Sequence, residues 1–222
     1  MSYRGALSSD TPSLLRAISH LPPPNASAPS SLSSAVHAST HSKTSVCYDV
    51  AALTSCFSSA SKTFGPNFTH ALAAKGCPLR FILRLAVSHG LGVECASWGE
   101  CVGALSAGCP PSKIVFDSPA KTREELRWAL ESGVVVNCDN LAELERVDEL
   151  WNGESKSVVG LRVNPIVSGG KIEMFAVSTT SSKFGYPLHT EESRLKVVAA
   201  FGEYPWLRCL HAHVSARSEE TS

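Results

Sequence analysis

The sequence lacks several features that would point to particular classes of protein. None of its eight cysteines forms a CxxC pair, which argues against a zinc ribbon or a thioredoxin-type motif. Lysines and arginines number 20, as do aspartates and glutamates, so charge gives no sign of a nucleic-acid or anionic-membrane partner. No apolar run reaches the roughly 18 residues that a membrane-spanning helix needs. These absences favour a globular protein in a reducing compartment, with cysteines that act as small apolar residues.

Residues 1–44 are poor in acids and rich in Ser, Ala, Thr and Pro. They contain one acid, Asp10, against three bases, Arg4, Arg16 and Lys43. Such a segment buries too little apolar surface to offset the entropy lost on ordering, so we expect a disordered tail. A Ser-rich, acid-poor start is also typical of transit peptides. We therefore expect a plastid or another organelle as the location if this segment is a transit peptide, and the cytoplasm if it is not.

Short apolar runs alternate with helical patterns after this tail. Six strand-like runs lie within residues 67–214, and several of the helices between them end at a glycine. Strands that alternate with helices and lack hairpin turns run parallel and are joined by helical crossovers. The first strand-to-helix turn lacks GxGxxG, which disfavours a dinucleotide-binding sheet. Because a closed α/β barrel needs eight strands, the pattern leaves an open α/β sheet or an incomplete barrel.

Three helix starts carry capping signals, in which a polar residue is followed three positions later by a glutamate. We expect these carboxylates to be structural rather than catalytic, in the pairs Ser97 and Glu100, Thr122 and Glu125, and Asn140 and Glu143.

Lys75 lies at the end of the first strand-like run. If residues 67–75 form one strand, alternation places Lys75 on the same face as Thr69, Ala71 and Ala73. A lysine that shares a face with small side chains fits a barrel interior with a ligand above it, at the carboxyl end where barrel sites lie. A solvated surface lysine needs no such face.

Polar residues also occur on the fifth and sixth strands. Arg162 lies on the polar face of the fifth strand, and an inward arginine needs a partner because an unpaired buried charge is costly. Glu94 in the second strand is the candidate partner, and the alternative is that Arg162 reaches solvent. His211 and His213 share a face of the last strand, but two ligands are too few for zinc, so no metal site is predicted.

These stretches together resemble one family. The segments "YDVAALTSCF", "HALAAKGCPLRFILRLAVSHGLGVECASWGEC", "IVFDSPAKTREELRWALESGV", "NCDNLAELERV", "LRVNP", "SSKFGYPL" and "LHAHVS" are similar, in order and spacing, to the fold-type III pyridoxal-phosphate decarboxylases of ornithine, diaminopimelate and arginine. The likeness covers about residues 45–214. It implies an α/β fold, a partial (β/α)8 barrel of the alanine racemase-like type with about six parallel strands.

The resemblance also implies a domain organisation. A leading strand and helix are expected in residues 45–66, the partial barrel in residues 67–214, and an unmatched tail in residues 215–222. The last barrel units, the glycine-rich phosphate loop and the C-terminal β-domain of the family are expected beyond residue 222, so the chain is expected to be the first part of such an enzyme.

The resemblance assigns roles to four residues. Lys75 matches the lysine that forms a Schiff base with pyridoxal 5'-phosphate, and His213 matches the histidine that stacks on the cofactor ring. Arg162 and Glu94 match inward polar positions near the cofactor. The implied reaction releases CO2 from a basic or diamino acid of diaminopimelate or ornithine type, and the implied full-length assembly is a homodimer.

Two departures from the family weaken the expected cofactor site. Gly76 and Cys77 follow the lysine where the family has Ala-Asn, and Ala216 stands where a serine approaches the phosphate. Because most of the phosphate contacts, including the glycine-rich loop expected beyond residue 222, are missing, we expect weak cofactor binding and an inactive isolated chain. Two alternatives stay open: a non-catalytic homologue that acts as an interaction or regulatory protein, and a cofactor-binding protein akin to alanine racemase.

Overall fold

The computed structural model describes residues 46–64, 66–166 and 182–213. The chain divides into two compact units, Met1–Gly65 and Pro66–Ser222. In the first unit, helix α1 (Val50–Thr63) begins after Asp49, whose carboxylate accepts a hydrogen bond from the backbone N–H of Ala52 at 2.9 Å. Residues 46–49 belong to neither a helix nor a strand. The tails expected at residues 1–44 and 215–222 lie outside the described residues, so the domain boundaries stay predictions.

The second unit alternates strands with helices. Its elements are β1 (Ala71–Ala73), a 3₁₀ turn (Ala74–Gly76), α2 (Arg80–Ser88), β2 (Gly92–Cys95), α3 (Trp98–Ser106), a 3₁₀ turn (Pro111–Lys113), β3 (Ile114–Phe116), α4 (Arg123–Ser132), β4 (Val135–Cys138), α5 (Leu141–Leu150), β5 (Val159–Asn164), β6 (Tyr186–Pro187), α6 (Glu191–Glu203) and β7 (Leu207–Ala212).

The seven strands in the described part of the chain form one parallel sheet in the order β1-β2-β3-β4-β5-β6, with β7 also paired to β5. The six predicted strands and their parallel pairing are confirmed. The seventh, β6, has only two residues and pairs with the last two residues of β5, so it left no apolar pattern in the sequence.

The core consists of the strands and the helix faces packed on them. All six residues of β5 are buried, which is typical of a central parallel strand with both faces covered. Helices contribute apolar residues such as Leu83, Leu126 and Leu144, and four of the cysteines are also buried as free thiols. Burial raises the pKa of the Cys138 thiol to about 12, which keeps it protonated.

The first strand is shorter than the sequence predicts, and this changes the position of Lys75. Strand β1 ends at Ala73, whose ladder partner is Glu94 in β2. The chain then turns, with the backbone N–H of Cys77 donating to the Ala74 carbonyl at 3.1 Å. The prediction of one strand over residues 67–75, with Lys75 on its face, is therefore wrong. Lys75 lies in the 3₁₀ turn that follows the strand, because the chain folds back there before α2.

Gly160 permits close packing of β5 against β4 and β7. A Cβ at this position would come 3.0 Å from both the Cys209 carbonyl oxygen and Asn137 Oδ1, and still closer to Cys209 Sγ. We expect Gly160→Ala to lower the free energy of unfolding by about 1–3 kcal/mol because the core has no room for the methyl group. Urea unfolding measures this change.

The control is Gly103→Ala in α3, where an added Cβ meets no heavy atom within 4 Å. Alanine is favoured over glycine inside a helix by up to about 1 kcal/mol, so this variant should be neutral or stabilised. Equal unfolding midpoints for the Gly160→Ala and Gly103→Ala variants would contradict the packing argument.

Candidate active site at the carboxyl ends of the strands

Polar side chains gather where the parallel strands end. Lys75 follows β1, Glu94 lies in β2, Asp117 follows β3, Asp139 follows β4 and Arg162 lies near the end of β5. The carboxyl ends of parallel strands meet at one edge of a sheet, which is where α/β proteins place their ligands. We call this set, together with His211 and His213 at the end of β7, the carboxyl-end cluster.

Lys75 presents an exposed amine on an anchored turn. Its neighbour Ala74 is 1% exposed and belongs to the core, whereas the Lys75 side chain reaches solvent. The charge of Lys75 affects the pKa of two members of the carboxyl-end cluster, His213 and Glu94. Burial lowers the pKa of His213, and Lys75 lowers it further. Burial raises the pKa of Glu94, and Lys75 opposes that rise. Ala73, two residues before Lys75, is the ladder partner of Glu94, so Lys75 and Glu94 lie at the same end of the sheet.

Glu94 is a half-buried carboxyl group with spare hydrogen-bonding capacity. Its Oε1 is buried and accepts no hydrogen bond within the described part of the chain. Burial is the main cause of its raised pKa, and the carboxylates of Asp117 and Glu100 add to it. A buried acceptor without a donor is costly, so this atom is suited to a ligand that brings a donor.

Arg162 is buried and held by two carboxylates and a ring. Its Nη1 donates to Asp117 Oδ2 at 3.4 Å and lies 3.7 Å from Asp139 Oδ1, and its guanidinium carbon lies 4.9 Å from the centre of the Phe184 ring. The predicted pairing of Arg162 with Glu94 is therefore wrong. The reason is strand order: β2 lies three positions from β5 in the sheet, whereas β3 and β4 lie between them.

Gly185 lets the segment before β6 approach Arg162. Its φ is +72°, and a Cβ there would come 3.1 Å from Arg162 Cγ and from the Val163 carbonyl carbon. The backbone N–H of Gly185 also donates to Asp139 Oδ1 at 3.1 Å. Burial raises the pKa of Asp139, and the Gly185 N–H and the Arg162 charge oppose that rise. Phe184 and Gly185 of the "KFG" stretch thus pack against the Arg162 side chain.

A second buried ion pair connects the loop after β3 to the first turn of α5. Lys121 and Glu143 have side chains with 0% exposure, and Lys121 Nζ lies 3.2 Å from Glu143 Oε2. Lys121 Nζ also donates to the carbonyl oxygens of Ser118 at 2.8 Å and Asn137 at 2.6 Å. Glu143 Oε2 accepts the backbone N–H of Asp139 at 2.7 Å, which orients the loop that carries Asp139.

Glu143 is structural, as the sequence predicts, but in a different way. Asn140 caps α5 by accepting the Glu143 N–H at 2.9 Å, while the Glu143 carboxylate serves the ion pair with Lys121. Sequence reasoning missed Asp117, Asp139 and Lys121. The available signal was their position, because each follows closely after an apolar strand-like run.

A separate cavity lies at the opposite end of the sheet. It has a volume of about 450 Å³ and is lined by the last turns of α4 and α5 and by the loop before β5. Those segments precede β4 and β5, so the cavity is remote from the carboxyl-end cluster. Within the described residues, no group of His, Cys, Asp or Glu is placed to hold a metal ion, and no helix is long and apolar enough to cross a membrane.

Known proteins share both the sequence pattern and this fold. A family model described as the pyridoxal-binding domain of pyridoxal-dependent decarboxylases matches residues 50–222. The chain belongs to the pyridoxal-dependent decarboxylases. This assignment confirms the predicted family, whose description names pyridoxal as the group that the domain binds.

Two curated relatives of this decarboxylase chain illustrate the match. The diaminopimelate decarboxylase of Zymomonas mobilis subsp. mobilis is 35% identical over 140 residues, which is 62% of this chain and 32% of the relative. That of Bacillus subtilis is 29% identical over 181 residues, or 79% of this chain and 41% of the relative. The chain thus spans about a third to two fifths of the length of these relatives.

A solved structure shares the fold of this decarboxylase chain. Helicobacter pylori diaminopimelate decarboxylase complexed with L-lysine superposes with a TM-score of 0.67 at 23% identity, over 76% of this chain and 43% of that one. The prediction of a partial barrel of parallel strands and helices is confirmed at the level of the fold.

The buried pair of Lys121 and Glu143 gives a prediction about stability. Lys121→Met removes the buried cation of Glu143 and leaves only Arg146, which is partly exposed and 3.8 Å from Oε1; breaking a buried pair costs about 3–5 kcal/mol. We expect the double variant Lys121→Met/Glu143→Gln to recover part of the loss, because the glutamine oxygen still accepts the Asp139 N–H without a charge. Urea unfolding measures both.

The matched control is Arg123→Met, which breaks the exposed ion pair of Arg123 with Glu149. Exposed pairs contribute little, so its unfolding midpoint should stay close to that of the unsubstituted chain. The prediction fails if Lys121→Met destabilises the chain no more than Arg123→Met does.

Glu94 gives a prediction about pH. Its pKa in the folded chain is raised above the ordinary value of 4.5, so the folded state binds more protons than the unfolded state between these two values. The free energy of unfolding therefore falls as pH rises from about 4.5 through the raised pKa, and then levels off. Glu94→Gln should make this fall shallower. The part of the fall that comes from Asp139, whose pKa is also raised, should remain.

Urea unfolding at a series of pH values measures the slope. Superimposable profiles for the Glu94→Gln variant and the unsubstituted chain would show that Glu94 titrates alike in both states, against the burial of its carboxyl group.

Proposed function

We propose that the protein containing this chain is a pyridoxal-phosphate-dependent decarboxylase of a diamino acid, of the diaminopimelate type. The observation that carries the proposal is the exposed Lys75 amine at the carboxyl end of β1, two residues after Ala73, the ladder partner of Glu94. The two curated relatives described above are diaminopimelate decarboxylases, which supports this substrate class over ornithine. Because the chain spans only part of these relatives, the activity is proposed for the whole protein.

The carboxyl-end cluster fits the cofactor on its own chemistry. A carbonyl-bearing cofactor needs a primary amine on a fixed backbone, which the turn at Lys75 supplies. Glu94 Oε1 is buried and has no hydrogen bond within the described residues, so it is able to accept one from a bound group. When bound, pyridoxal phosphate supplies an electron sink for the pair of electrons left on the α-carbon as CO2 departs.

Each residue of the site has a defined task. Lys75 would hold the cofactor and return its amine when an amino-acid substrate takes its place. Glu94, whose raised pKa reflects burial, can hold or release a proton at Oε1, which has no hydrogen bond within the described residues. Burial, Lys75, Arg162 and His211 all lower the pKa of His213, which keeps its ring uncharged near neutral pH and suited to stacking on an aromatic ring.

The Arg162 side chain is held in a fixed position at the carboxyl-end cluster. Its charge is balanced by Asp117 and Asp139 and its face is covered by Phe184, so it is held in place before any ligand arrives. Such preorganisation removes the cost of ordering a long side chain on binding. We also propose that the full-length protein is a homodimer, as in the family it resembles, and that residues 1–44 direct it to a plastid or another organelle.

The proposal predicts which lysine binds the cofactor. The chain is incubated with pyridoxal phosphate, reduced with borohydride to make the attachment permanent, digested and mapped by mass spectrometry. We expect the label on the peptide that contains Lys75, and we expect Lys75→Ala to remove it. Weak binding is expected, so labelling is followed over a series of cofactor concentrations.

The control is Lys113→Ala, which removes an amine that donates to the Gly90 carbonyl at 2.8 Å, before β3 and away from the carboxyl ends. It should leave labelling at Lys75 intact. Equal labelling of many lysines, unchanged in Lys75→Ala, would refute the assignment and favour the non-catalytic homologue.

A further inference from the structure

Asp117 is a buried acid that contacts two basic side chains, Arg162 and His211, on different strands. It follows β3, is 5% exposed, and points one oxygen at each partner. Its Oδ2 accepts from Arg162 Nη1 at 3.4 Å, and its Oδ1 lies 2.9 Å from His211 Nδ1. The carboxylate therefore joins the end of β3 to β5 and to β7.

The contact between Asp117 and His211 is close but not yet a hydrogen bond. Asp117 Oδ1 and His211 Nδ1 are both buried, and neither has a hydrogen-bond partner within the described residues. Leaving two buried polar atoms unsatisfied is costly, and a small rotation of the imidazole would let Nδ1–H donate to the carboxylate.

We propose that Asp117 is a positioning residue, which holds Arg162 with one carboxylate oxygen and His211 with the other and so sets the charge around His213. The role of His213 as the ring that lies against the cofactor rests on the proposed function. The contacts of Asp117 with Arg162 and His211 do not depend on the proposed function.

The groups around His213 show why this carboxylate is important there. Burial is the largest cause of the lowered pKa of His213, and three cations, Lys75, Arg162 and His211, lower it further. Asp117 is the acid that opposes them and raises it. By keeping two of the three cations in contact with a carboxylate, Asp117 limits the positive potential at His213.

Asp139 provides a matched comparison inside the same cluster. It is also 5% exposed and also lies near Arg162 Nη1, at 3.7 Å, but its other contact is the Gly185 N–H, not His211. A substitution at Asp139 thus removes one carboxylate from Arg162 and leaves the contact of Asp117 with His211 in place.

The test measures the pKa of His213 by NMR titration of the cofactor-free chain, with the signal assigned from a His213→Gln variant. We expect Asp117→Asn to shift this pKa downward, because the opposing carboxylate is gone. Asp139→Asn should leave it unchanged. His211→Gln should shift it upward, because a cation is removed. Substitutions at Asp117 and His211 should not be additive, since the two residues act in contact.

An unchanged pKa of His213 in Asp117→Asn, or an equal downward shift in Asp139→Asn, would overturn the proposal. If Asp117→Asn does not fold, His211→Gln alone decides, because an unchanged or lowered pKa of His213 in that variant contradicts it. A downward shift in Asp117→Asn together with no cofactor label at Lys75 would uphold this inference while refuting the proposed function.

Discussion

A guanidinium removed from water near the end of β5 determines the arrangement of the carboxyl-end cluster. Arg162 is 7% exposed, and a charge so placed is tolerated only with anions close by. Its two carboxylates come from the loops after β3 and β4, and its ring contact comes from the segment before β6. Three separate parts of the chain are thereby held against one strand. The side chains of this edge keep fixed positions because the alternative is an uncompensated charge.

The pair of Lys121 and Glu143 supports this arrangement from behind. It joins the loop after β3 to the first turn of α5, and through the Asp139 N–H it also fixes the acid that Arg162 needs. Asp139 therefore connects two buried charge networks, that of Lys121 with Glu143 and that of Arg162 with Asp117. A change at the inner pair is transmitted to the site through one short loop.

The fold was largely predictable, because its signals are local. Parallel strands covered on both faces leave short apolar runs, and the helices between them end at glycines such as Gly90, Gly108 and Gly133, all of which have positive φ. The exceptions are short elements that depend on tertiary contacts. The turn at Lys75 and the two-residue strand β6 exist because of their packing against the neighbouring parts of the sheet. No window of sequence contains that information.

The site was less predictable than the fold. The partners of Arg162, Asp117 and Asp139, depend on strand order, which a pattern of apolar runs does not give. Glu143 shows the same limit: its local pattern marks a helix start, whereas its ion-pair partner lies 22 residues away. Sequence proximity identifies caps and turns, and only the sheet topology identifies which charges meet.

The complete burial of Lys121 also separates the lysines of this chain by their chemistry. A reagent that modifies primary amines meets Lys75 on the folded surface, but it reaches Lys121 Nζ only when the loop after β3 or the start of α5 opens. The rate of modification at Lys121 therefore reports the opening equilibrium of the layer beneath the cluster, in the way that a slowly exchanging amide proton does.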